Sequence, residues 1–351
     1  MLTLCMAAAL CVMPLPSRPS VGAIRWDGWF ADNVWERNLQ DQTWRNRLPF
    51  YAEEKDGRVE VRSDRQEVMD REIAFAVQAG LTYWAFCWYH PQSWPGADSY
   101  NYGIRLYRSA RNKRGLKHAF ILQGGHLGKK ESWPETARQL AEMLRHRDYH
   151  RVLRNRPLLY VFTCEAIETT FGSREAGRAA FEKLREECRR QKTGDPYIVA
   201  QVFSAEAGVQ WLDAYGFDAI GAYSAPDWGE HRERPYTDLV TANRAFRERI
   251  AATGRPIVPL LNTGWDGRPR LGMQNYGFYA NGPWYAQPAP DELAEAAREL
   301  RDWVRANPTA APAQTALIYA WNETDEGGWL VPTLVEGDAR IRRMGEALRG
   351  K

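Results

Sequence analysis

Cysteine is scarce: the 351-residue chain holds five, Cys5, Cys11, Cys87, Cys164 and Cys188. No spacing among them suggests a zinc site or a disulfide framework. Cys87 and Cys164 sit in apolar strand contexts and Cys188 in a helical pattern, so they are expected as buried small hydrophobes. No Gly-x-Gly-x-x-Gly or Walker loop follows any predicted strand, which removes the usual phosphate cradles. No Gly-x-Ser-x-Gly elbow occurs, which argues against a serine hydrolase. The six histidines are scattered, and no His/Asp/Glu set has metal-ligand spacing. Neither a metal nor a cofactor is expected. Neither sign of charge is in excess, with 47 Lys+Arg against 44 Asp+Glu. The clustered basic footprint of a nucleic-acid binder is therefore missing. No low-complexity linker or charge run divides the chain, so one domain is expected, and a core of this size needs no disulfide staples.

Long hydrophobic runs are also missing, with one short exception. Leu2 to Met13 is apolar but too short to span a bilayer. With Pro14, Pro16 and Pro19 after it, residues 1–20 read as a signal peptide or a disordered N-terminus. No Lys or Arg precedes the apolar stretch, and no Ala-x-Ala site follows. The expectation is a secreted or periplasmic protein with no integral membrane segment, and a monomer.

What the chain does have is tryptophan, 15 against 12 phenylalanines, and a regular alternation. Short apolar runs are expected as strands at Val21–Trp29, Leu81–Tyr89, Lys117–Gln123, Leu158–Thr163, Tyr197–Phe203, Phe217–Tyr223, Pro256–Asn262 and Thr315–Trp321. Each is apolar throughout, as in strands covered on both faces. Helical patterns separate them: Ser63–Ala79 with a Ser63 cap and a Gly80 stop, Asn101–Asn112, Ser132–Arg147 with Ser132 as cap, Ser173–Arg190, Ala205–Tyr215, Tyr236–Thr253, Pro290–Ala306 and Gly337–Arg349. Eight strand–helix repeats predict an α/β fold, a (β/α)8 TIM barrel over residues 21–351. A doubly wound open sheet is the alternative. Long loops are expected after strands 1 and 7, Phe30–Arg62 and Thr263–Ala289. Their aromatic residues, among them Trp35, Trp44, Tyr276, Phe278 and Tyr279, suit cleft walls.

In a parallel barrel the chemistry sits at the carboxyl ends of the strands. There the sequence offers Asp27 and Trp29, then Trp88, Tyr89 and His90, then Gln123 and Tyr223. Strand 7 adds Trp265, Asp266 and Arg270. Strand 8 ends in Asn322, Glu323, Asp325 and Glu326, followed by Trp329. Paired carboxylates are the equipment for hydrolysing a glycosidic bond. Aromatic faces with short hydrogen-bonding side chains suit a sugar. Trp88, Trp265 and Trp329 are expected around the glutamates.

Three blocks add a resemblance. Trp321-Asn322-Glu323-x-x-Glu326-Gly327, ending in Pro332, resembles the Asn-Glu-x-x-Glu-Gly…Pro block of glycoside hydrolase family 99, the endo-α-mannosidases and endo-α-mannanases. Gly264-Trp265-Asp266-Gly267-Arg268-Pro269-Arg270 is similar to their Trp-Asp-Asn-x-Pro-Arg segment, and Ala79 to Tyr89 to their second strand. The same block occurs in WbsX-like proteins of polysaccharide gene clusters. The resemblance implies that Glu323 deprotonates the substrate 2-hydroxyl and that Glu326 is the general acid, then base. It also implies retention of anomeric configuration through an epoxide-like intermediate. Thr324 and Asp325 replace the aromatic and the histidine or alanine usual between the glutamates, and Val331 stands where a Glu often precedes the proline. A different substrate pocket follows from those changes. An acid at 326 would need a raised pKa, with charge from Glu323 and Asp325 and burial by Trp329 pushing that way, while Glu323 stays ionised.

The leading expectation is a glycoside hydrolase acting on a poly- or oligosaccharide. A WbsX-like glycosyltransferase and a non-catalytic carbohydrate-binding barrel are the alternatives.

Overall fold

The computed structural model describes residues 18–30 and 33–350. The apolar Leu2–Met13 segment, with Cys5 and Cys11, lies outside the described residues. Eight parallel strands make the core: β1 Ser20–Arg25, β2 Tyr83–Trp88, β3 Lys117–Gln123, β4 Arg156–Phe162, β5 Tyr197–Gln201, β6 Ala219–Gly221, β7 Leu260–Asn262 and β8 Thr315–Tyr319. Hydrogen bonding runs β7-β8-β1-β2-β3-β4-β5-β6. The ring closes through a parallel bridge between Ile220 and Ile257. There Ile220 donates to Pro256 O and Val258 donates to Ile220 O, each at 2.8 Å. The registers are continuous around the seam, with Ala23 opposite Ile318 and Trp84.

Nearly every strand residue is buried, because helices cover the outside and side chains fill the inside. The covering helices are α1 Gln66–Gln78, α2 Tyr102–Ser109, α3 Trp133–Leu144, α4 Ala166–Phe171, α5 Arg174–Arg190, α6 Ala205–Tyr215, α7 Tyr236–Ala252, α8 Pro290–Ala306 and α9 Ala339–Arg349. Several of their ends are written locally. Ser173 caps α5 by accepting from Ala176 N, and Ser204 caps α6 by accepting from Ala207 N. Pro290 opens α8, where its missing N–H costs nothing.

Two expected caps are corrected. Ser63 does not start α1; it is buried, and its hydroxyl meets Tyr102 and the carbonyl of Trp29. Ser132 does not cap α3 either, since its hydroxyl donates to Lys129 O at 3.0 Å. Strand β7 is shorter than its apolar run because Pro256 and Pro259 cannot donate to a ladder; they only accept, from Ile220 and Leu317.

The described residues of both long loops carry regular structure. The first carries two 3₁₀ turns, Val34–Leu39 and Gln42–Arg47, and a hairpin of Ala52–Lys55 with Arg58–Val61. The one after β7 carries 3₁₀ turns at Arg268–Arg270 and Gly277–Asn281, then pairs Trp284–Tyr285 with Glu233–Arg234. Both rise above the carboxyl ends of the strands. Among the described residues no helix is long and apolar enough to cross a membrane.

Candidate active site

The site is built on the end of β8. The Tyr319–Ala320 peptide bond is cis. Beyond it, Trp321 drops its indole outside the barrel to Glu72 of α1, Nε1 donating to Oε1 at 2.8 Å. Asn322 turns the other way and docks on the end of β1. Its Oδ1 accepts from Trp26 N at 3.0 Å and its Nδ2 donates to Trp26 O at 2.6 Å. Asn322–Glu323 then pairs antiparallel with Gly328–Trp329 around the turn Thr324–Glu326. Gly327 closes that turn at φ 81°, and a Cβ there would lie 2.5 Å from Asp266 N. Glycine alone fits both the left-handed backbone and the contact. The result is a tight loop that presents Glu323 and Glu326 to one cavity.

Arg270 lies between those carboxylates. Its Nε donates to Asp325 Oδ2 at 2.7 Å and its Nη2 to Asp325 Oδ1 at 2.8 Å. Its Nη1 meets Glu326, and Nη2 is 3.4 Å from Glu323 Oε2. Tyrosines complete the carboxylates: Tyr223 donates to Glu323 Oε1 and Tyr319 to Glu326 Oε2. Burial works against the Arg270 charge, yet Asp325 and Glu326 hold its proton well above the ordinary arginine value. Glu323 behaves oppositely. Burial, with like charge from Glu326 and Asp325, pushes it well above the usual carboxylate range despite Arg270 and the Tyr223 hydrogen bond. The sequence reading left Glu323 ionised; burial and its acidic neighbours instead raise it. Its distinguishing feature is contact: Glu326 takes the guanidinium directly, while Glu323 lies farther from it.

The cavity has a volume of about 690 Å³, with Glu323, Glu326 and Arg270 on its lining. Its walls are aromatic. Trp26, Tyr89, Trp94 and Tyr100 stand on the side of β1 and β2. Trp265, Tyr276, Phe278 and Tyr279 come from the loop after β7. Phe162, Phe203, Tyr223 and Trp228 complete the lining. Hydrogen-bonding groups are few: Gln123, His126 and Ser224 join the tyrosines.

Of the residues expected from sequence, Tyr89, Gln123, Tyr223, Trp265, Arg270, Glu323 and Glu326 are brought together on this cavity. The others are close in the chain but turned away. Asp27 is buried against Arg25, Nε to Oδ1 at 2.9 Å, in a cluster with Glu72. Burial raises its pKa to about 6 in spite of Arg25. Trp29 is buried and donates to Asn322 O at 2.9 Å. Trp88 packs edge-on to His90, and His90 is held by Thr136 and Gln92 N. Asp266 anchors Arg47 and Arg268. Asn322 is a strand-to-strand tie. Trp329 is fully buried with Arg340 4.3 Å over its ring. None of these lines the cavity, so Trp329 does not desolvate the glutamates.

Sequence reasoning missed Trp26, Trp94, His126 and the rim residues Phe203 and Trp228. Trp26 had a signal: period two along β1 places it opposite Asp27, and the two choices exclude each other. Tyr319 was also missed, because a strand-interior tyrosine reads as core. Among the described residues no group of three or more His, Cys, Asp or Glu is arranged to hold a metal ion.

No family model and no curated protein sequence matches the chain. Solved structures do. A glycoside hydrolase-like protein superposes with a TM-score of 0.65 at 15% identity, over 96% of this chain and 97% of that one. The GH99 endo-α-mannosidase of Bacteroides thetaiotaomicron superposes with a TM-score of 0.61 at 14% identity, over 94% and 96%. The same enzyme in complex with bis-tris-propane gives 0.60 at 15% identity. At such identity the likeness concerns architecture, and over 94–96% of its length this chain has the fold of those glycoside hydrolase-like TIM barrels.

Proposed function

We propose that the protein is a retaining glycoside hydrolase that cleaves a poly- or oligosaccharide with Glu323 and Glu326. The observation that carries the reading is the pair itself. Two carboxylates, joined through one guanidinium, stand at the base of an aromatic-walled cavity at the carboxyl end of a barrel. Indole and phenol faces receive the C–H face of a pyranose, and the tyrosines and Gln123 reach its hydroxyls.

In the proposed first step Glu323 takes the proton of the 2-hydroxyl while O2 attacks C1. The C1–O bond to the leaving sugar breaks, and Glu326 delivers its proton to the departing oxygen. The product is a 1,2-anhydro sugar. A water, deprotonated by Glu326, then attacks C1; the C1–O2 bond opens and O2 recovers the proton from Glu323. Two inversions at C1 leave the configuration retained.

A buried carboxyl of raised pKa is a stronger base than a free one, which suits Glu323. The proposed step needs one proton on the pair, and full ionisation would set like charges together in a buried site. A 2-hydroxyl donating into Glu323 favours its ionised form and moves that proton to Glu326. Activity should therefore be bell-shaped in pH, falling when both glutamates are protonated and again when neither is.

Among the described residues, Arg270 is the only lysine or arginine on the cavity lining, and it is bound to carboxylates. A nucleotide-sugar diphosphate would meet Glu323 and Glu326 with no free cation to oppose them, which favours the hydrolase over the transferase. The test is a screen of neutral polysaccharides, α-mannans included, followed by substitution. Glu323→Gln should lose activity on every substrate cleaved. Glu326→Gln should lose it on natural linkages and keep part of it on activated aryl glycosides, whose leaving groups need no proton. Each loss should be about 10²–10⁴-fold, as for a general acid or base. Undiminished hydrolysis by both variants would leave the pair a charged turn and nothing more.

A further inference from the structure

Position 325 is where the chain departs from the block it resembles: an acid stands between the glutamates. Asp325 is fully buried and does not line the cavity. Its two oxygens take parallel N–H bonds from Arg270 Nε and Nη2, at 2.7 Å and 2.8 Å. Asn38, from the loop after β1, adds a third donor at 2.8 Å. A two-point fork of this kind sets the plane of a guanidinium and not only its distance. With that edge held, Nη1 is left for Glu326 and Nη2 for Glu323. Trp35 packs on the guanidinium at 4.7 Å, and Trp26 and Tyr276 at 5.5 Å.

We propose that Asp325 is a positioning residue: it holds Arg270 between Glu323 and Glu326 and offsets its charge, so that the two glutamates keep one transferable proton between them. The proposal rests on the glycosidase reading of the pair. Its physical content is a charge count. Asp325 and Arg270 together are neutral, so the glutamates feel mainly each other, and like charges at close range retain a proton. Without Asp325 the full guanidinium charge would fall on the pair and release that proton at lower pH. The remaining groups facing the pair do not change the count. Tyr223 from the end of β6, Tyr319 of β8, Tyr276 and Tyr279 from the loop after β7, and Cys87 of β2 are all pushed up by burial, and so are neutral. Arg47 of the first loop acts on Asp325 from a distance but is paired with Asp266.

Asp325→Asn tests this with two readouts. In protein carrying ¹³C-labelled glutamate carboxyls, the upper titration step of the pair should fall by about one pH unit, a tenfold loss of proton affinity. In activity, the alkaline limb of kcat should fall by the same amount with KM nearly unchanged. Asp325→Glu keeps the charge but displaces the fork, so its limb should stay in place while kcat falls. An unshifted carboxyl titration in Asp325→Asn overturns the proposal, as does a variant that only melts earlier with its pH profile intact. Should Asp325→Asn not fold, Asp325→Glu decides alone, and an unchanged kcat there overturns it. A shifted titration in a protein that hydrolyses no polysaccharide would instead remove the glycosidase reading and leave the positioning role standing.

Discussion

Trp228 presents 55% of its surface to solvent while lining the cavity, and Trp329 presents none of its own. The two residues therefore respond differently to the same truncation. Trp228→Ala should weaken oligosaccharide binding while shifting folding stability by less than about 0.5 kcal/mol, as for a surface change. Trp329→Ala should cost about 3–5 kcal/mol through the void it leaves and the unsupported Arg340. Calorimetric titration with an oligosaccharide and urea unfolding separate the two; equal losses in both assays for Trp228 would make it a packing residue.

Glu323 makes a second residue-scale prediction. Its folded proton affinity exceeds its unfolded one, so the native state binds more protons than the unfolded state above the ordinary glutamate value of 4.5. Its stabilising effect is complete below that value and is lost as pH rises through the raised folded pKa. Glu323→Gln should thus gain stability relative to wild type as pH rises from the ordinary carboxylate range toward the raised folded pKa, read from urea midpoints. A constant difference across that range would show that Glu323 is ionised throughout.

The loop after β7 supplies Trp265, Arg270 and the Tyr276–Tyr279 wall, and one carboxylate fastens it. Asp266 bonds Arg47 from the first loop and Arg268 from its own, and Arg268 and Arg47 draw its pKa down against the effect of burial. Asp266→Ala would leave Arg47 buried without its partner, at a cost of about 3–5 kcal/mol. Limited proteolysis should then cut near residues 271–282 well before the barrel unfolds. Cleavage no faster than in wild type would mean that the aromatic packing holds the loop by itself.

Element type was legible in the chain, and side-chain direction was not. All eight strands could be placed, because strands buried on both faces leave uninterrupted apolar runs such as Leu158 to Phe162. Helix starts were less legible. Ser63 and Ser132 look like caps, yet other partners claim their hydroxyls: the distant Tyr102 and Trp29 for Ser63, and the carbonyl of Lys129 in the preceding turn for Ser132. At the strand ends the residue types showed where the site lies, but not which residues face it. Asp27 and Asn322 sit where cavity residues should sit, but Asp27 is consumed by Arg25 at the end of β1 and Asn322 by tying the end of β8 to Trp26. A strand that ends one residue sooner reverses that assignment, and a single sequence does not reveal where it ends.

The whole barrel is unevenly stitched. β2 and β3 share six aligned residue pairs, while β6 meets the segment before β7 through the single Ile220–Ile257 bridge. Local opening starts where few bonds hold. The amides of Ile220 and Val258 should exchange with deuterium faster than those of Ile24 and Ile121. Equal protection at all four would indicate that the ring opens only as a unit.

Cys87 lies on β2 beside Tyr223, Cys164 just beyond β4, and Cys188 on the outer helix α5. All three are buried and unpaired, with thiol pKa values raised by burial. Only the thiolate reacts readily with alkylating reagents, so each sulfur stays silent until its own layer admits solvent. With Cys5 and Cys11 replaced by serine, the chain carries three natural clocks: one for the interior, one for the mouth and one for the helical jacket. The order in which a thiol reagent starts them gives the sequence in which the layers come apart.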